Sequence, residues 1–364
     1  MPRRGPQKPN VAHAHPRAGA AGLARALAVW KSLERSRSTQ VRIARELVET
    51  RSHELRRAHP GILSIGYGHR VEGKDRNQAT KKREVCVTFL VKKKWDTPSA
   101  TRARDAIPRH LYTYVEMSGA RVLCAIPTDV QGLQHTGKIV QQGNRMVTAF
   151  ANGLESISGM PCCVVRYPGG SRYLLGCHHV FAYSDVTTPV PDAVYICTED
   201  NPAQVVGLLS GYFGQLGPDN SFFDAALASI SNETLLAAVA VEPVPNGAVV
   251  QGESDLAGSV QIRTARGPIE ADWLSIHKDL VLADYAQFPQ VTLPVVVEVQ
   301  TRDFVTIPGD SGSPVFDDTG TVLQGMHVAA NGAGGSFFIP AYELLRATNY
   351  MGLSNDDADT LEIA

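Results

Sequence analysis

The sequence has no run of 18 or more apolar residues, so nothing in it reads as a membrane span. Its first twenty residues, MPRRGPQKPNVAHAHPRAGA, lack the apolar stretch of a secretory signal. Their arginines and missing acids are faintly similar to an organelle transit peptide; they are read as a disordered tail. There is no P-loop, no G-x-G-x-x-G and no H-E-x-x-H, so the phosphate-loop, dinucleotide-binding and zinc-hydrolase signatures are all missing. Six cysteines are present: Cys86, Cys124, Cys162, Cys163, Cys177 and Cys197. None of them makes a C-x₂₋₄-C pair, which argues against a zinc site built from Cys162, Cys163, Cys177 and His178. In a chain without an export signal they read as free thiols in a reducing, cytoplasmic setting, with no metal and no cofactor expected.

What is present suits a loop-rich globular protein: 364 residues, 43% apolar and 20% charged, with 32 Gly and 22 Pro. The net charge of -1 hides an asymmetry. Residues 1–110 carry 25 Lys and Arg against 9 Asp and Glu (+16), and the remainder 10 against 27 (-17). Two differently built halves docked against each other account for this. A basic surface for an acidic partner is the other reading, and nucleic acid is not expected.

Four segments follow the tail. In residues 21–58 the apolar positions Leu27, Trp30 and Leu33, then Ile43, Leu47 and Leu55, recur every three or four residues around a break at Ser36–Thr39, which predicts one interrupted helix or two. Such a basic amphipathic helix can lie on a membrane or pack on its own protein. Residues 59–130 hold strand-like runs, among them ILSIGYG, EVCVTFLV (Glu84–Val91) and VLCAIPTDV (Val122–Val130), and read as a small α+β module. From 131 to 350, short apolar runs alternate with Gly, Pro, Asn and Asp, which predicts an all-β sandwich or barrel closed by a short helix at Ala341–Ala347. Residues 351–364 read as a C-terminal tail.

The chemistry gathers in TIPGDSGSPVF, Thr306 to Phe316. A serine hydroxyl is a poor nucleophile until a base takes its proton and an acid orients that base. Gly309 and Gly312 let this loop turn tightly and aim amide N–H groups at one spot, where an oxyanion can be held. The base candidates are His178 and His179 in LLGCHHVFA. The acid candidate is Asp224 in SFFDAALASI, a lone carboxylate in an apolar run, which demands a specific partner. Asp219, in a turn-like stretch, is the weaker candidate. His69, His110 and His277 show no partner pattern and read as surface or structural. The bland alternative puts Ser311 in an ordinary Gly-rich turn and makes His179 a packed core residue.

GDSGSP, the His-Val pair after a strand and D-A-A-L, in the order His, Asp, Ser, resemble the chymotrypsin-like (trypsin-fold) serine peptidases, bacterial members included, over roughly 140–350. The resemblance implies an all-β double barrel with Ser311 as nucleophile, His179 as base, Asp224 as acid and the N–H groups of Gly309 and Ser311 as the oxyanion hole. Ser313 stands where a second glycine is usual. The stretch before the barrel loosely resembles the N-terminal module of some bacterial and plant peptidases of this fold.

The same resemblance suggests what is cut. A trypsin-like preference needs an acid six residues before the serine, and Val305 is there instead. Members that cut after Glu or Gln carry a histidine in strings like G-x-H, and GMHVAANG puts His327 at that point. With the Thr306 hydroxyl it implies Glu or Gln before the cut, with substrate backbone pairing along Val328, Ala329 and Ala330. A packed strand histidine beside a small apolar pocket is the alternative. In zymogens of the family a cut before Ile-Val frees an amine for the aspartate preceding the serine. Here Lys138 precedes Ile139-Val140 and Asp310 precedes Ser311, although the usual double glycine is missing. The expectation is therefore a serine endopeptidase acting on a protein substrate. A protease in the cytoplasm must be restrained, by a narrow substrate (one encoded nearby, in stress or defence processing) or by a switch near Lys138. A catalytically silent binding module is the rival.

Overall fold

The computed structural model describes residues 19–33, 37–59, 61–70, 84–91, 107–132, 147–151, 154–155, 158–167, 170–181, 195–198, 201–212, 223–239, 243–285, 288–330, 334–346, 350 and 360–364. Lys138, Ile139 and Asp219 lie outside them, as does almost all of the N-terminal tail.

Two helices open the chain, α1 (Ala20–Ser32) and α2 (Arg37–Ala58). On α2 the inward positions Ile43, Ala44, Leu47, Val48 and Leu55 are buried, while Arg42–Glu46 and Arg45–Glu49 pair one turn apart on its outer side. The Gln40 amide donates to the Trp30 carbonyl at 2.9 Å and clips the two helices together. No helix among the described residues is long and apolar enough to cross a membrane.

Strands β1 (Ile62–Arg70), β2 (Glu84–Val91), β3 (His110–Met117) and β4 (Ala120–Gly132) follow. Next come β5 (Val147–Ala151), β6 (Leu154–Glu155), β7 (Pro161–Arg166) and β8 (Arg172–Gly176), then a one-turn helix α3 (His178–Phe181). After it run β9 (Tyr195–Thr198), β10 (Asn201–Tyr212), β11 (Ala226–Ile230) and helix α4 (Glu233–Ala238). The last group is β12 (Ser259–Thr264), β13 (Gly267–Tyr285), β14 (Phe288–Thr301), β15 (Pro314–Asp317), β16 (Leu323–Ala330) and β17 (Gly335–Pro340). Helix α5 (Ala341–Leu344) and β18 (Glu362–Ile363) end the chain.

The protein is mostly strand, in two sheets. Eight strands make one, in the order β18-β7-β8-β11-β10-β9-β5-β6; ten make the other, β12-β15-β16-β17-β14-β13-β1-β2-β4-β3. In the larger sheet β12 also pairs with β13, so six strands from β12 to β17 form a hydrogen-bonded circuit. The strands of segment 59–130 do not stand apart from it. β1 runs antiparallel to β13, with Ile65 opposite Lys278 and Gly68 opposite Ser275, and the sheet continues through β2, β4 and β3. Helices α1 and α2 lie on β4, β1 and β2. One apolar core joins these helices to Val260, Ile262, Ile276 and Val297 of the larger sheet. A second core lies between the sheets, with Val164, Leu175 and Leu227 from one and Val296, Met326 and Val328 from the other. The closing helix is shorter than its pattern suggests, and residues 360–364 return to the protein, Ala364 N–H donating to the Val164 carbonyl at 3.0 Å.

Candidate active site

Asp224 precedes β11 between buried Phe223 and Ala225 and is itself completely buried. A carboxylate there is tolerable only with donors around it, and His179 supplies two. Its ring Nδ1 is 2.6 Å from Asp224 Oδ2, and its backbone N–H donates to Oδ1 at 3.0 Å. The backbone contact exists because α3 turns immediately after β8: Val180 and Phe181 N–H both donate to the Cys177 carbonyl, which points the start of the turn at Asp224. His178, on the same turn, is buried, and burial lowers its pKa to about 4. Of the two candidate bases, His179 is the one paired with the acid.

Ser311 sits in the loop between β14 and β15. Gly309 and Gly312 have φ of 100° and 92°, the left-handed region that favours glycine. Gly312 is doubly required, since a Cβ there would be 1.7 Å from the Met160 carbonyl oxygen. In this loop Asp310 N–H donates to Ile307 O, Gly312 N–H to His327 O and Ser313 N–H to Asp310 O. Among the described residues, the N–H groups of Gly309 and Ser311 have no such acceptor. Two unused donors on either side of Asp310, one of them the serine's own, suit an anion.

The two parts meet at Gly159, just before β7. A Cβ on it would lie 2.6 Å from Val180 Cγ2, next to His179, and 2.7 Å from the Ser311 carbonyl oxygen. Met160 N–H donates to that same carbonyl at 2.7 Å, tying the smaller sheet to the serine loop.

Asp310 is 4% exposed and already holds a cation. Arg266, in the turn between β12 and β13, reaches Asp310 Oδ2 at 2.6 Å, and Ile307 N–H donates to the same oxygen at 2.9 Å. The guanidinium also donates to the Val305 carbonyl at 3.2 Å. Nothing in the sequence marks Arg266, a lone cation in a turn 44 residues from its partner.

His327, on β16, is buried, and its Nδ1 lies 3.1 Å from the Phe337 carbonyl and 3.0 Å from Ser336 Oγ. Ser336 Oγ is in turn 3.0 Å from Thr306 Oγ1, so Thr306 and His327, both named by the sequence pattern, are joined into one chain by Ser336. Burial lowers the His327 pKa to about 4. A carbonyl only accepts, so the Phe337 contact fits the tautomer with the proton on Nδ1 and a lone pair on Nε2. Val328 is buried and Ala329 half-buried, whereas Val305 and its neighbour Phe304 are exposed by 46% and 66%, and so lie at a rim and not a pocket floor.

All six cysteines are buried and free. Cys177 Sγ, His179 and Asp224 offer atoms within 4.8 Å of one another, the one cluster of metal-ligand type among the described residues. His277, which shows no partner in the sequence, is fully buried and bonded to Ser64, Ser275 and Glu298.

No family model matches the chain, and no curated protein matches it. Among solved structures it is similar to chymotrypsin-like serine proteases. A glutamic acid specific serine protease shares 15% identity over 58% of this chain and 99% of its own, with a TM-score of 0.37. A Nocardiopsis protease shares 14% over 58% and 98%, with a TM-score of 0.33. Tobacco etch virus protease shares 11% over 62% and 89%, with a TM-score of 0.29. These similarities are distant.

Proposed function

We propose that the chain is a serine endopeptidase of the chymotrypsin-like double-barrel type. Ser311 Oγ attacks the peptide carbonyl while His179 takes its proton. Asp224 holds Nδ1–H and stabilises the imidazolium. The oxyanion receives the N–H groups of Gly309 and Ser311, His179 returns the proton to the leaving amine, and water then hydrolyses the acyl-enzyme by the same route. The observation that carries this reading is the buried His179–Asp224 pair beside a serine loop with two unused amide donors.

The pocket chain of Thr306, Ser336 and His327 supports cleavage after Gln over Glu at neutral pH. A neutral His327 with its lone pair on Nε2 accepts a hydrogen bond from an amide N–H₂ and offers a carboxylate nothing. The Arg266–Asp310 pair supports activity without a cut at Lys138, because the charge that such a cut would deliver is already in place.

Incubating the purified chain and Ser311→Ala with a diverse peptide library tests both statements. Serine-dependent cuts after Gln are expected, with the relative rate after Glu rising as pH falls toward 4 and His327 becomes protonated. His327→Ala should flatten that profile. An intact chain that makes no serine-dependent cut overturns the protease reading, and an unchanged His327→Ala profile overturns the pocket.

A further inference from the structure

Cys177, the last residue before α3, is completely buried where the two sheets meet. Its Sγ is 3.5 Å from the His327 carbonyl oxygen, which also receives Gly312 N–H at 2.8 Å. On its other side, the sulfur lies within 4.8 Å of both the His179 ring and the Asp224 carboxylate. So the acceptors it faces belong to the acid on one side and to the serine loop's support on the other. We propose that Cys177 is a positioning residue whose S–H helps to hold Asp224 against His179 and ties that pair to the His327–Gly312 side of the serine loop. This rests on the reading of Ser311, His179 and Asp224 as a catalytic set.

The thiol serves only as a donor. Burial first, and then the charge of Asp224 and a hydrogen bond to it, raise the Cys177 pKa well above the ordinary thiol value, so the proton stays on sulfur. Thiolate, imidazole and carboxylate are also what zinc prefers, but here the thiol keeps its proton and His179 Nδ1 is already bonded to Asp224. A buried thiol is often only a small apolar filler. Here its one S–H faces two acceptors, the His327 carbonyl at 3.5 Å and the Asp224 carboxylate, which already takes the His179 N–H and Nδ1–H. Removing it leaves that buried charge less well solvated, so Asp224 holds the imidazolium more tightly and His179 gives up its proton less readily.

Cys177→Ala and Cys177→Ser, each also made in the Ser311→Ala background, decide the matter. Cys177→Ala is expected to lower kcat about tenfold with KM nearly unchanged, and to move the acid limb of the kcat profile up by about half a pH unit. Cys177→Ser, whose hydroxyl donates to the same acceptors, should restore most of both. In the Ser311→Ala background the NMR titration of His179 should shift the same way. The other titratable groups facing the pair are His178 on its turn and His327 on β16, with Asp310 beyond it. Both histidines titrate near pH 4, below the range in which the limb is read. If Ala and Ser lower stability alike and leave kcat, limb and titration unmoved, Cys177 is a filler and the proposal fails. A wild-type chain that cleaves nothing sinks the protease reading instead, while the His179 titration still decides the thiol's part.

Discussion

Asp310 and Asp224 are two buried carboxylates with opposite degrees of legibility. A lone aspartate inside SFFDAALASI announces that it needs a partner, and the His-His step 45 residues earlier offers two candidates, of which the family resemblance singles out His179. The partner of Asp310 cannot. Sequence places it beside the serine and says nothing of the turn that brings Arg266 to it. The same holds for Cys177, whose neighbours come from three separate stretches, and for Val305, whose exposure depends on how its loop leaves β14. Arg266→Ala would leave Asp310 buried beside one N–H donor, a cost of about 1–3 kcal/mol. The loop that aims Gly309 and Ser311 N–H would relax, so kcat/KM should fall roughly 10- to 100-fold. Arg266→Lys, which keeps the charge without the fork, should recover part of this. Steady-state kinetics and a thermal melt on the two variants read both effects.

Among elements, strand existence is more legible than strand partnership. EVCVTFLV is β2 at the same bounds, because a short apolar run rich in β-branched residues is a local signal. That β1 pairs with β13, more than two hundred residues on, is set by shape that no window contains, and so segment 59–130 reads as separate when its strands extend the larger sheet. The seam is marked by a polar cluster. His277 Nε2 is 3.0 Å from Glu298 Oε2, Ser275 Oγ donates to the same oxygen at 2.8 Å, and Ser64 of β1 is 3.2 Å from His277 Nδ1. All four residues are at 0% exposure. Removing one partner from such a pair leaves a buried polar group without its hydrogen bond. His277→Leu should therefore cost about 1–3 kcal/mol, and adding Glu298→Leu should recover much of it, a comparison made by urea denaturation of the single and double variants.

Over the whole molecule, among the described residues, the opposed charges of the two parts meet at few points. Glu253 Oε2 takes Arg45 of α2 at 3.6 Å together with the Tyr67 hydroxyl, its Oε1 takes Lys278 of its own part at 2.6 Å, and Arg56 reaches the carbonyls of Lys278 and Asp279. Most of the seam is the shared apolar core, so salt should weaken the assembly little. Acid should weaken it more. His178 and His327 are held near pKa 4 in the folded protein, against about 6.5 when unfolded. Between these values the unfolded chain binds more protons, so the stability tied to these histidines is complete above pH 6.5 and is lost as pH falls toward 4. Melting temperature measured from pH 7.5 to 4 should fall through that window, and less steeply in His178→Asn.

The β1–β13 pairing and the shared core together tie the residues up to Gly132 to those from Val147 onward by contacts other than the backbone between them. A protein nicked there should run as two bands in denaturant and elute as a single particle without it. Chain length on a gel and particle size in solution would then report different things, and a cleaved species would be no smaller than the whole.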